Sequence, residues 1–142
     1  MQRGEKMKIL LTGGSGLLGQ TLIPLLKNKH EVINFDKENP DQELTFYQGD
    51  LREQNLVEKA CKNVEAIIHM AALHGKAWDQ AGDSVGFEVN VTGTKNILEA
   101  AAKNKVNRVV VFTSSIWANG HLPEKAEYLP IDEKMKREPQ EL

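Results

Sequence analysis

Three glycines at three-residue spacing, Gly13, Gly16 and Gly19, follow the apolar run Ile9, Leu10 and Leu11 and lead into a leucine-rich segment from about Leu17. Glycine carries no Cβ, so its backbone N–H groups can approach a large anion that other residues would hold off. A helix N-terminus adds unpaired N–H groups and the positive end of a dipole. Together these features suit a diphosphate lying against bare backbone where a helix begins. A second chemically suggestive residue, Asp36, closes the next apolar run, Val32, Ile33 and Phe35. A carboxylate in that place accepts hydrogen bonds from an adenosine ribose. Taken alone, the glycines are also compatible with a flexible loop; with the preceding strand, the following helix and Asp36, they predict dinucleotide binding. Two related motifs fail. The segment GSGLLGQT, Gly14 to Thr21, has the frame of a phosphate-binding loop but carries Gln20 where the lysine belongs, and Ser15 lacks the glycine two places later that a nucleophile elbow requires.

The elements that must position these residues follow from periodicity. Leu17, Leu18, Thr21, Leu22, Leu25 and Leu26 recur at helical spacing, with Pro24 predicting a kink or irregularity. A second strand runs from Glu31 to Phe35, a polar loop spans Lys37 to Glu43, and a short third strand covers Leu44 to Tyr47 before Gly49-Asp50-Leu51. From Arg52 to Lys62, the residues Leu56, Val57, Ala60 and Cys61 share one helix face, Cys61 as a core residue. Val64 to Met70 reads as a fourth strand running into Ala71-Ala72-Leu73-His74; His69, on that apolar strand, reads as core. A loop from His74 to about Asp83 then precedes a long helix, roughly Ser84 to Asn104, with Phe87, Val91, Ile97, Leu98 and Ala101 as its buried stripe. Val106 to Phe112 is the fifth strand, ending in Thr113-Ser114-Ser115, and beyond Gly120 the chain reads as loop or as a segment awaiting a partner. Alternating strands and helices with right-handed crossovers give an α/β fold, a doubly wound parallel sheet of order 3-2-1-4-5. A ligand belongs at the carboxyl ends of its strands, where Thr12, Asp36, Asp50, the Ala71 to His74 turn and Ser115 all lie.

With 142 residues the chain is expected to form one domain. A net charge of -2 with both signs interspersed disfavours nucleic acid and anionic membranes as partners, and no apolar run reaches the length of about 18 residues that suggests a bilayer span. The lone Cys61 cannot form an internal disulfide, which points to a reducing cytoplasm; on that reading the sequon Asn90-Val91-Thr92 is a chance match. Met7, directly before the first strand, is a candidate start.

The motifs TGGSGLLG (Thr12 to Gly19), Asp36, GDL (Gly49 to Leu51), HMAAL (His69 to Leu73), NVTGT (Asn90 to Thr94) and FTSS (Phe112 to Ser115), in this order, resemble the extended short-chain dehydrogenase/reductases, the NAD-dependent epimerase/dehydratase family that includes UDP-glucose 4-epimerase. The resemblance covers Met7 to about Gly120. It implies a Rossmann fold and hydride transfer to and from NAD. Leu17 and Leu18 would meet the diphosphate through their N–H groups beside Gly13, Gly16 and Gly19. Asp36 would hold the ribose and disfavour NADP, whose 2′-phosphate it repels, although Lys37 lies beside it. By the same resemblance, Asp50 would receive the adenine amino group and Leu51 the ring nitrogen, while Met70, Ala71, Ala72, Leu73 and His74 line the pyrophosphate and nicotinamide ribose. The simpler readings are tight packing for Ala71-Ala72 and a helix N-cap for Asp50. Asn90 matches a family position near the cofactor, and Ser115 the Ser/Thr whose hydroxyl meets the substrate hydroxyl or carbonyl. Trp117 falls in the loop over the site.

Two departures accompany the resemblance. Asn119-Gly120 stands where a tyrosine usually precedes the glycine. The family's acid/base tyrosine, followed four residues later by lysine, has no counterpart: Tyr47 is followed by Leu51 and Tyr128 by Asp132 at that offset. The expectation is therefore an incomplete NAD-binding Rossmann domain over 1–142, with 121–142 leading to a catalytic helix that is missing, and no turnover by the chain alone. A nucleotide sugar is the implied substrate of the full-length protein, and a homodimer is left open. The alternative reading, a non-catalytic dinucleotide-binding or redox-sensing module, would need no tyrosine–lysine pair. Ser115 speaks for the enzyme.

Overall fold

The computed structural model describes residues 5–39 and 43–115, together with Asp132, Lys134 and Met135. Five strands, β1 (Lys8–Thr12), β2 (Glu31–Asp36), β3 (Thr45–Gln48), β4 (Ala66–His69) and β5 (Val109–Phe112), form one sheet of order β3-β2-β1-β4-β5. Every neighbouring pair is parallel, with Thr12 opposite Phe35 on one side and His69 on the other. This is the expected doubly wound topology, and it brings the ends of β1, β2 and β4 side by side.

Successive side chains on a strand point to opposite faces, so the apolar runs feed two cores. Leu10, Ile33, Phe35 and Ile67 pack on one face under the helices α2 (Gln54–Ala60) and α5 (Gly93–Lys103). Leu11 and Val32 pack on the other, under Ile23 of α1 (Leu17–Lys27). Leu10, Leu11, Ile23 and Cys61 have no solvent exposure, and a side chain such as Leu10 contributes about 1.5 to 3 kcal/mol by leaving water.

Helix faces depart from the leucine count. In α1 the buried positions are Gly19 and Ile23, whereas Leu17, Leu18 and Leu25 are exposed, Leu17 to 87%. A Cβ on Gly19 would stand 2.4 Å from the Gly14 Cα, so backbone contact with the turn decides which face is inside. The helix continues through Pro24. The stretch read as a loop contains a short helix, α3 (Lys76–Ala81).

The long helix that follows is interrupted as well. It consists of α4 (Asp83–Phe87), a π-turn over Glu88–Thr92 closed by the Gly93 N–H on the Glu88 carbonyl, and α5. Of the expected stripe only Ile97 and Ala101 are buried; Phe87, Val91 and Leu98 point outward, and Val89, Gly93, Asn96 and Ala100 face in instead. A Cβ on Gly93 would stand 2.7 Å from the Leu51 Cβ, so again a close approach, available only to glycine, fixes the buried face.

The chain divides after Phe112 into two units, Met1–Phe112 and Thr113–Leu142. The first holds the sheet, with β5 at one edge and Val109, Val111 and Phe112 exposed. In the second, the Lys134 N–H donates to Asp132 Oδ1 at 2.9 Å. Trp117, Asn119, Gly120 and Tyr128 lie outside the described residues, as does most of the sequence read as a tail. Among the described residues no helix is long and apolar enough to cross a membrane.

Candidate functional site

The glycine turn is held from below by the sheet. Gly13 has φ +77°, and a Cβ there would stand 2.7 Å from the Ala71 N, so both conformation and contact require glycine. Its N–H donates to the Phe35 carbonyl at 3.1 Å. Asn34, fully buried in β2, accepts the Gly14 N–H on Oδ1 at 3.0 Å, and a Gly14 Cβ would collide with that oxygen. Asn34 escaped the sequence reading, though a lone amide inside the apolar run Val32–Phe35 was its signal. Gly16 differs from its neighbours: it is extended (φ -75°, ψ 173°), and a Cβ would touch only the Gly13 carbonyl, at 3.3 Å. It is the N-cap of α1, and no side chain caps the N–H groups that an α-helix leaves unpaired in its first turn.

Asp36 closes β2 beside this turn. Its Oδ2 accepts the Ser15 N–H at 2.9 Å and its Oδ1 the Lys37 N–H at 2.7 Å. Ser15 Oγ in turn donates to the Glu38 carbonyl. Asp50 is occupied differently. Its carboxylate takes the Arg52 Nε at 3.1 Å, a guanidinium nitrogen at 2.8 Å and the Lys37 Nζ at 2.9 Å, and Arg52 continues to Glu88 at 3.2 Å. The Arg52 guanidinium, with Lys37 behind it, holds the Asp50 carboxyl well below the usual carboxylate range. The N-cap role does not hold: α2 begins at Gln54 after Glu53, and Asp50 Oδ1 accepts the Arg52 N–H instead.

The third wall runs from Met70 to His74. Met70 N–H donates to the Thr12 carbonyl at 3.2 Å and Ala71 N–H to Thr12 Oγ1 at 3.3 Å. Asn90, inside the π-turn, clamps Leu73 from both ends, accepting its N–H at 2.7 Å and donating to its carbonyl at 2.8 Å. His69 is buried, with Nδ1 2.6 Å from Thr12 Oγ1 and Nε2 3.0 Å from Thr94 Oγ1. Burial pushes its pKa down to about 4, which keeps the ring neutral near pH 7. It is a core residue, as read, but a hydrogen-bonded one.

These walls enclose a cleft of about 620 Å³. Gly13, Gly16, Leu17 and Leu18 form its turn side; Asp36 and Leu51 its β2 side; Met70, Ala71, Ala72, Leu73 and His74 its β4 side. Lys37 and Glu38 line it too. Three expected residues stand behind the lining: Gly19 packs on Gly14, Asp50 sits in its ion cluster, and Asn90 braces Leu73. Ser115 belongs to the second unit. The arrangement suits a long, anionic ligand: bare N–H groups at a helix N-terminus, a carboxylate oriented by backbone donors, and an apolar opposite wall. Among the described residues no group of three or more His, Cys, Asp or Glu is placed to hold a metal ion.

Comparison with known proteins adds the following. The model of the NAD dependent epimerase/dehydratase family matches residues 9–140. Short-chain dehydrogenase/reductase family 42E member 1 of Homo sapiens is 35% identical over 144 residues, covering 92% of this chain and 36% of that protein. A UDP-glucose 4-epimerase of Neisseria meningitidis serogroup C is 32% identical, covering 85% and 40%. The crystal structure of a short-chain dehydrogenase/reductase superfamily protein from Agrobacterium tumefaciens with bound NAD superposes with a TM-score of 0.78 at 29% identity, covering 94% of this chain and 40% of that one. The chain thus spans about two fifths or less of the length of these proteins.

Proposed function

This chain belongs to the NAD dependent epimerase/dehydratase family, and from that premise we propose that its cleft binds NAD and serves an enzyme acting on a nucleotide sugar. The observation that carries the reading is the uncapped start of α1, where Gly16 presents bare backbone to a cleft whose other walls are Asp36 and the Ala71–Leu73 segment. In support, the superposing Agrobacterium protein holds NAD and a relative of similar identity is a UDP-glucose 4-epimerase.

The residues would divide the work as follows. The N–H groups of Leu17 and Leu18 hold the diphosphate beside Gly13 and Gly16, while Gly19 keeps α1 close enough to the turn to aim them. Asp36 receives the adenosine ribose hydroxyls, and its charge disfavours the 2′-phosphate of NADP. Leu51 meets the adenine ring through its backbone, and Asp50 reaches the adenine amino group only by sharing a carboxylate that Arg52 and Lys37 already engage. Met70 to His74 lie along the pyrophosphate and nicotinamide ribose, with Asn90 steadying Leu73. NAD supplies a reversible hydride acceptor. The Ser115 hydroxyl would donate to the substrate oxygen where charge develops. No tyrosine in these 142 residues has a lysine four places on, so proton transfer to and from substrate is assigned to residues outside this chain, and 1–142 to an NAD-binding Rossmann domain that they complete.

Titration calorimetry with NAD tests the binding. The wild type is expected to bind, and Gly16→Val to fold but not bind, because its side chain meets only the Gly13 carbonyl on the protein side and fills the ligand's place on the other. Equal affinity in a folded Gly16→Val variant would remove the glycine turn from the site.

A further inference from the structure

His69 makes no contact with the cleft lumen, yet its two ring nitrogens join the two structures that fix the β4 wall. We propose that Thr12, His69 and Thr94 form a hydrogen-bond relay that sets the position of the Ala71–Leu73 backbone, which makes His69 a positioning residue for the ligand of the cleft. The ligand is NAD on the reading given above, and the proposal rests on that reading only for the ligand's identity.

The contacts close into a ring. Ala71 N–H donates to Thr12 Oγ1 at 3.3 Å; Thr12 Oγ1 lies 2.6 Å from His69 Nδ1; His69 Nε2 lies 3.0 Å from Thr94 Oγ1; Thr94 Oγ1 donates to the Asn90 carbonyl at 2.5 Å; and Asn90 Oδ1 accepts the Leu73 N–H at 2.7 Å. Ala72 completes the circuit through the chain. The proton directions follow from the two ends. Thr94 spends its proton on the Asn90 carbonyl, so it must accept from His69 Nε2–H. Nδ1 is then bare and accepts the Thr12 hydroxyl proton, which leaves the Thr12 oxygen to receive the Ala71 N–H. Every member is both satisfied and oriented.

Three features separate this from ordinary burial of a histidine. His69 is only 3% exposed, its ring centroid lies 5.8 Å from that of Phe112, and it borders a hollow it shares with Ile97, Leu98 and Val110; unpaired nitrogens would be costly there, and both are paired. Thr94 is the joint between the arm that reaches Ala71 and the arm that reaches Leu73. Ala71 is also the residue against which Gly13 is packed so closely that a Cβ would stand 2.7 Å from its nitrogen, so a displaced Ala71 disturbs the diphosphate side of the cleft as well.

The test uses the 142-residue chain with Thr94→Val, which keeps the shape and removes the hydroxyl, and Thr94→Ser, which restores it. NAD affinity is expected to fall about 3- to 10-fold in Thr94→Val and to recover to within about 2-fold in Thr94→Ser. Amide exchange at Ala71 and Leu73 should rise in Thr94→Val while Ile67 in β4 stays protected. Nitrogen NMR of the wild type should show His69 protonated on Nε2 and bare on Nδ1. Unchanged affinity and exchange in Thr94→Val, or an Nδ1–H tautomer in the wild type, would overturn the relay. If the wild type binds no NAD, the ligand assignment fails while exchange and nitrogen shifts still decide the relay; if Thr94→Val does not fold, the wild-type tautomer decides it.

Discussion

Asp36 Oδ2 accepts the backbone N–H of Ser15 at 2.9 Å, so the acidic end of β2 and the glycine turn are one hydrogen-bonded unit. The carboxylate is thereby fixed in orientation at the rim of the cleft, which lowers the ordering cost of binding a ribose there.

Replacing that carboxylate separates its two effects. Asp36→Ala should weaken NAD by about 1 to 3 kcal/mol, since it removes ribose acceptors and frees the turn. Asp36→Asn keeps an acceptor for Ser15 but loses the charge, and should narrow the gap between NAD and NADP with a smaller loss of NAD. Calorimetry with both dinucleotides reads this; a wild type that prefers NADP would rule out the role given to Asp36.

Gly16 sets stability against binding. Its extended conformation is that of a helix N-cap, and Asp is a better cap than Gly by a few tenths of a kcal/mol. Gly16→Asp should therefore unfold at a slightly higher temperature while losing NAD, because the new carboxylate occupies the anion's place. Thermal melts and calorimetry on one sample would show the opposite signs; retained NAD binding would contradict the site.

Two ionisable groups, the buried His69 and the half-buried Asp50, titrate in separate windows. His69, with its pKa pushed by burial from 6.5 to about 4, takes up a proton more readily unfolded than folded. Stability from this group is full above pH 6.5 and falls as pH drops toward 4, by up to about 3 kcal/mol. Asp50, held low by Arg52, contributes stability above its ordinary value of 3.8 and loses it only as pH falls further. Urea unfolding between pH 7 and 4 should thus flatten in His69→Asn and keep its slope in Asp50→Asn. A slope unchanged in His69→Asn would refute the desolvation account.

Asn34 supports the turn from inside the sheet. Asn34→Ala leaves the buried Gly14 N–H without its acceptor and should cost about 1 to 3 kcal/mol, with weaker NAD binding in proportion to how far the turn loosens. Denaturant melts and NAD titration check it; an unchanged melt would show that Gly14 finds another partner.

Much of this was legible in the residues. Apolar runs fix β1, β2 and β4, and strand alternation fixes their order, because parallel buried strands leave little freedom in pattern. Glycines were legible by spacing but not by role: Gly13 answers to Ala71 and Gly93 to Leu51, contacts between segments distant in sequence, and Gly19 to Gly14 within the turn itself. For the same reason the expected stripe of the long helix differs from the buried one at Phe87, Val91 and Leu98, since a count of apolar residues cannot see that Gly93 must turn inward. The roles of Thr94 and His69 were hidden because each acts through a partner on another element, whereas Asn34 left a signal as the lone amide in an apolar run. Lys37 and Arg52 at Asp50 depend likewise on how the loops after β2 and β3 meet.

The π-turn at Glu88–Thr92 has a consequence for how this helix could change. A regular helix turns about 100° per residue, so one extra residue in the turn shifts the phase of everything after it. Asn90, within the shift, faces Leu73 and braces it from behind the cleft wall, while Gly93, Ile97 and Ala101, beyond it, face the core. Deleting one residue between Glu88 and Thr92 would restore a continuous helix and force one phase on both duties. A one-residue insertion or deletion in this segment should therefore leave helix content by circular dichroism nearly unchanged while weakening ligand binding, because it re-phases Asn90 against Leu73.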